Sequence, residues 1–171
     1  MTTRLVFQNI FRFIILMLVQ VLIINNVSLS GFVVPYIYLL FLFMLPTQTG
    51  RIPMLLIAFA TGLTMDLFSN LLGFHTFACT AVAFFRILFA DRILVRNDHV
   101  DINVPSIYTV SVRQFIFYIA ILLFLFYLIF FSLEMFDTHG AGRILLSTIC
   151  STLFSGGIML LIQVLFVHKK K

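Results

Sequence analysis

The chain has 171 residues, 62% of them hydrophobic and 10% charged, and a mean hydropathy of +1.16. So little polar surface excludes a water-soluble globule and leaves an integral membrane protein. Residues 1–171 read as one compact domain, because no polar stretch is long enough to fold by itself. The net charge of +5 sits on the flanks of apolar segments; even His168-Lys-Lys-Lys171 reads as a stop-transfer flank rather than a nucleic-acid site.

The N-terminal stretch Met1 to Ile10 leads into an apolar run without a small-residue cleavage site, so it reads as a retained first helix. Crossing the hydrocarbon core takes roughly 20 helical residues. Six apolar segments approach that length, near 6–24, 32–49, 52–69, 71–90, 113–133 and 144–167. The expected fold is therefore an all-α membrane protein, a compact bundle of six transmembrane helices. The second segment is the weakest, since its strongly apolar part runs only from Phe32 to Leu45 and Pro35 interrupts its first turn. Gly31 and Thr47-Gln-Thr49 are uncharged and lengthen it to a full crossing.

Short cytoplasmic loops retain Lys and Arg. With six spans, Arg4, Arg12, Arg51, Arg86, Arg92, Arg96, Arg113 and Lys169 to Lys171 fall on or near one side, and Arg143 alone on the other. Both termini are thus expected in the cytoplasm. A re-entrant second segment would put the basic 91–112 loop outside, against this bias.

One stretch places ionisable groups in apolar surroundings. Ala58, Gly62 and Asp66 recur every four residues, so on a helix they form one small, small, acidic row that lets another helix approach closely. An ionisable group inside a span faces protein or a wet cavity and takes a partner. Asp66 lies toward the external end of the third span and His75 about one turn into the fourth, at similar depth. A hydrogen-bonded Asp66 to His75 pair is the favoured reading, ahead of contact with a polar lipid or small ligand and of proton chemistry. Gly73 permits the tight reversal between the two helices. Thr76, Thr80 and Ala83 continue a small face, and Gly156-Gly157 gives the sixth span a comparable thin spot.

Arg86, about one turn inside the cytoplasmic end of the fourth span, is expected to snorkel to the headgroups. With Arg92, Arg96 and Arg113 it makes a basic collar able to meet anionic lipid or an acidic partner. Cys79 and Cys150 lie inside apolar segments and read as packing. The 22 Phe residues, against no Trp, read as lipid-facing and core bulk. Asp98, His99 and Asp101 match no metal-ligand spacing, and there is no His-Glu-x-x-His, no nucleophile turn and no second intramembrane Asp. No cofactor, metal or catalytic set is expected.

The run Gly62-Leu-Thr-Met-Asp66-Leu-Phe-Ser-Asn-Leu-Leu-Gly73-Phe-His-Thr-Phe77 resembles the signature hairpin of the rod shape-determining MreD family, whose pattern of Gly, Asp-Leu and Gly maps onto Gly62, Asp66-Leu67 and Gly73. The resemblance covers about a tenth of the chain and extends to size and hydropathy layout. It implies a non-enzymatic component of the bacterial cell-elongation machinery in the cytoplasmic membrane. Its partners would be the bitopic protein MreC directly, and actin-like MreB and the peptidoglycan synthase pair indirectly. It also implies a fold similar to the S-components of energy-coupling-factor vitamin transporters. A vitamin-binding S-component is the alternative function, weakened because the Ala-x-x-x-Ala docking pattern is missing from Phe11-Arg-Phe-Ile-Ile-Leu-Met-Leu-Val-Gln20.

Overall fold

The computed structural model describes residues 3–24, 33–93, 104–105, 110–134 and 140–166, with the side chains of 3–6, 90–93 and 166 excepted. The described regular elements are all helical: α1 Thr3–Leu22, α2 Leu39–Phe43, α3 Arg51–Ser69, α4 Phe74–Ile93, α5 Val112–Glu134 and α6 Ala141–Phe166. Three of them, α3, α5 and α6, are long and apolar enough to cross a membrane, and apolar stretches of α1 and α4 are shorter.

The helix expected over 32–49 forms only as α2, five residues long. The rest of residues 33–46 is irregular, yet Tyr36 to Leu45 are all buried, none more than 6% exposed. Helices enclose this internal segment. Pro35 fits it, having no N–H to satisfy and disfavouring helix in the residue before it.

A non-helical backbone at membrane depth is tolerated only inside protein, because each unsatisfied N–H or C=O costs several kcal/mol there. Side chains of the surrounding helices meet that demand. Gln20 of α1 donates to the Pro35 carbonyl (3.0 Å) and accepts from Ile37 N–H (2.8 Å). Tyr127 of α5 donates to the Val34 carbonyl (2.7 Å) and accepts from Tyr36 N–H (2.9 Å). Ser151 and Ser155 of α6 accept from Val34 and Tyr36 N–H, both at 3.2 Å. At the far end, Tyr118 donates to the Phe43 carbonyl (3.0 Å) and Arg86 to that of Leu45. The order of these contacts, with the Phe13 and Phe41 rings tilted against each other at 5.0 Å between centroids, runs the segment antiparallel to α1 and α5 and parallel to α4 and α6.

The core is built on α5. Phe115, Tyr118, Ile119, Leu122, Leu123, Phe126, Tyr127, Phe130 and Phe131 are all buried, a 3,4-spaced stripe that turns one face inward along the helix. The outer surface is apolar as well, with Phe7, Leu56, Leu67, Phe117, Leu153 and Leu165 among its exposed residues, the kind of surface that meets a membrane or another protein. An apolar groove of about 520 Å³ runs over α4, α5 and α6 between Phe85, Phe89, Phe117, Phe124, Ile149 and Leu153.

Candidate functional site

The expected site residues converge where α3 hands over to α4. Asn70, in the left-handed region (φ 52°, ψ 38°), caps α3 and gives its N–H to the Asp66 carbonyl. The Leu71 N–H bonds the same oxygen at 3.1 Å. Two main-chain donors on one carbonyl end the helix as a left-handed cap does. Gly73 follows at φ +90°, a conformation that favours glycine, and α4 starts at the next residue.

Asp66 is 3% exposed. Its Oδ1 accepts from His75 N–H at 3.0 Å, and its Oδ2 from Thr76 N–H at 2.8 Å and Thr76 Oγ1 at 2.5 Å. The first N–H groups of a helix have no intrahelical acceptor and carry the positive end of its dipole. A carboxylate from the preceding helix satisfies both demands at the start of α4. Asp66 thus closes α3 with its main chain and caps α4 with its side chain.

The expected Asp66 to His75 pair takes a different form. Asp66 meets the main chain of His75, while the imidazole Nδ1 bonds the Tyr38 hydroxyl at 2.9 Å. The ring lies 4.6 Å from that of Phe130 and 4.7 Å edge-on from that of Tyr36, centroid to centroid. His75 is fully buried and its Nε2 has no partner. The imidazole therefore ties α4 to the internal segment, and Cys79, 3.5 Å from the Tyr38 hydroxyl, joins the same contact. The Phe and Tyr residues gathered around His75 form an aromatic cluster where only bulk packing was expected.

Gly62 is where α3 and α4 touch. A Cβ there would lie 2.5 Å from the Thr76 Cα, 2.6 Å from the His75 oxygen and 2.7 Å from the Thr76 nitrogen, all main-chain atoms. Ala58, one turn earlier, is fully buried. Gly73 has open space around it, so its requirement is conformational alone. Gly156 meets one side chain at an ordinary 3.7 Å and Gly157 meets nothing, so that pair is not a point of close approach.

Arg86 does not snorkel. It is 4% exposed and turned inward, with Nε on the Tyr118 hydroxyl (2.6 Å), Nη1 on the Met54 sulfur (3.2 Å) and Nη2 on the Leu45 carbonyl. All three partners are neutral, and the guanidinium fork holds the end of the internal segment against α3 and α5. The Arg92 side chain and all of Arg96 lie outside the described residues, as do Asp98, His99 and Asp101. Among the described residues no three His, Cys, Asp or Glu side chains converge as a metal site would need.

Sequence reasoning missed Thr76 as the side-chain partner of Asp66, and missed Gln20, Tyr118, Tyr127, Ser151 and Ser155 as holders of the internal segment. The available signal was a set of hydrogen-bonding side chains in spans whose own backbones are already bonded. Such groups need partners, and the least helical apolar segment is the one that needs donors and acceptors. Comparisons of the chain with protein-family models, with curated proteins and with solved structures return no match.

Proposed function

We propose that the chain is a non-enzymatic membrane scaffold of the bacterial cell-elongation complex, of the MreD kind. On this reading it lies in the cytoplasmic membrane, passes six times with both termini inside, and receives MreC. Through MreC it is linked to MreB and to the peptidoglycan synthase pair. The observation that carries the proposal is the α3–α4 hairpin. The motif residues Gly62, Asp66 and Gly73 each shape this hairpin: Gly62 is the point where α3 meets the α4 main chain, Asp66 caps α4, and Gly73 makes the reversal. That is what a sequence signature for a shaped membrane surface looks like when its chemistry is structural.

Two further features support the reading. The internal segment runs in one direction, from the level of Tyr127 to that of Tyr118, and does not double back as a re-entrant loop would. The polar side chains inside the bundle bond mainly to the protein's own chain, as a rigid scaffold requires. Affinity purification of the tagged protein from its native membrane in mild detergent, followed by mass spectrometry of retained proteins and small molecules, tests the proposal. Recovery of a bitopic coiled-coil periplasmic protein with wall synthases is the expected result. Recovery of ATPase subunits with a bound vitamin would overturn it in favour of a transporter component.

A further inference from the structure

Two arginines lie well inside long helices, and they differ in one respect. Arg86 has every guanidinium nitrogen bonded. Arg12, in the first half of α1, is half-buried, and its Nη1 is enclosed with no hydrogen-bond partner. A cation in an apolar helix that meets a membrane takes a partner. Among the described residues nothing pairs with Arg12.

We propose that Asn9 and Arg12 bind the phosphate of an anionic membrane phospholipid. Asn9 precedes Arg12 by three residues, so the two side chains are neighbours on α1, and Asn9 is also buried, at 9% exposed. Its amide adds a donor beside the guanidinium, whose planar fork matches phosphate oxygens. Gln8 and Asn9 end the apolar run Ile10 to Ile24. Arg12 is therefore only about 3 Å along the axis inside that run, and of its guanidinium nitrogens Nη1 alone is enclosed, so the headgroup is met by the remaining edge.

Ile10, Phe11, Ile14, Ile15 and Leu18 form the exposed apolar face of α1, turned away from Asn9, so Asn9 and Arg12 hold the headgroup alone. The helix packs on α2 and α3 among its stronger contacts. A protein of net charge +5 favours anionic over zwitterionic headgroups. The lipid contact expected of Arg86 thus falls to Arg12, because Arg86 is committed to the internal segment.

The test is native mass spectrometry of the full-length protein in mild detergent, titrated with phosphatidylglycerol or with phosphatidylcholine of the same acyl chains. The wild type is expected to retain phosphatidylglycerol preferentially. Arg12→Gln is expected to lose on the order of tenfold in that retention, Arg12→Lys to lose less, and the exposed apolar control Leu56→Ala to match wild type. Asn9→Leu, which removes no charge, gives a second reading if Arg12→Gln does not yield folded protein, and is expected to weaken retention in the same direction. Equal retention by wild type and both α1 variants would overturn the proposal, and so would absence of a preference between the two lipids. Loss of a co-purifying membrane protein with unchanged lipid occupancy would also overturn it, assigning the guanidinium to a partner's carboxylate. The inference rests on membrane embedding and not on the cell-elongation reading, so recovery of a vitamin transporter complex leaves it standing.

Discussion

One carboxylate oxygen of Asp66 on α3 holds Thr76 on α4 twice, at the main-chain N–H (2.8 Å) and at the side-chain hydroxyl (2.5 Å). The helices are therefore joined through a cap rather than through an ion pair. Asp66→Asn keeps one acceptor and loses the charge facing the α4 dipole, and is expected to destabilise the protein by about 1 to 2 kcal/mol. Asp66→Leu leaves two buried N–H groups without acceptors and is expected to cost more, at about 1 to 3 kcal/mol per group, while still inserting. Thermal unfolding in detergent checks both.

A double-mutant cycle locates the coupling. Asp66→Asn with Thr76→Val is expected to be non-additive by about 0.5 to 3 kcal/mol, because the two side chains share a bond. Asp66→Asn with His75→Gln is expected to be closer to additive, since the imidazole turns to Tyr38. A larger coupling with His75 than with Thr76 would contradict the assignment.

Gly62 and Gly73 make different demands. Gly62→Ala drives a methyl group into the α4 main chain, where no side chain is available to move aside, and is expected to cost about 1 to 3 kcal/mol or more. Gly73→Ala meets no atoms and costs only the strain of a positive φ, about 1 to 2 kcal/mol. Gly73→Asn is therefore expected to be milder than Gly73→Ala, whereas Gly62→Asn is expected to be worse than Gly62→Ala. Ranking the four variants by detergent stability decides the point.

Arg86→Lys retains the charge but not the fork, so it cannot serve Tyr118 and the Leu45 carbonyl together. It is expected to lower stability, as is Tyr118→Phe, which frees the Phe43 carbonyl at a cost of about 1 to 3 kcal/mol. If Arg86 sat at the headgroups, Arg86→Lys would be nearly silent. Stability of the two variants, alone and combined, separates these outcomes.

The four later long helices were legible because each is a long apolar run ended by turn residues, such as Asn70 and Gly73 between α3 and α4. The depth match of Asp66 and His75 was legible from residue counting, but counting does not say which atoms face each other. An acid near the start of a neighbouring helix has main-chain donors available that no side-chain pattern reveals. Residues 32–49 were misread because hydropathy reports burial and not backbone conformation. A run as apolar as Leu39 to Leu45 suits the centre of a bundle as well as a span. Arg86 was misread for a related reason: its distance from a helix end fits snorkelling, and only the carbonyl of Leu45 explains why it turns inward.

The internal segment also constrains how the chain is made. Tyr36 takes its main-chain partners from residues 91 and 119 positions further on, and Val34 from one 117 positions on. When residues 33–46 leave the ribosome, α5 and α6 do not exist, and hydrocarbon offers this stretch nothing to bond. It must wait at a wet boundary until Tyr118, Tyr127, Ser151 and Ser155 have been synthesised. A chain that ends before Val112 lacks the α5 and α6 side chains that bond this segment. The contacts that bury residues 33–46 are thus complete only once the last two helices are present.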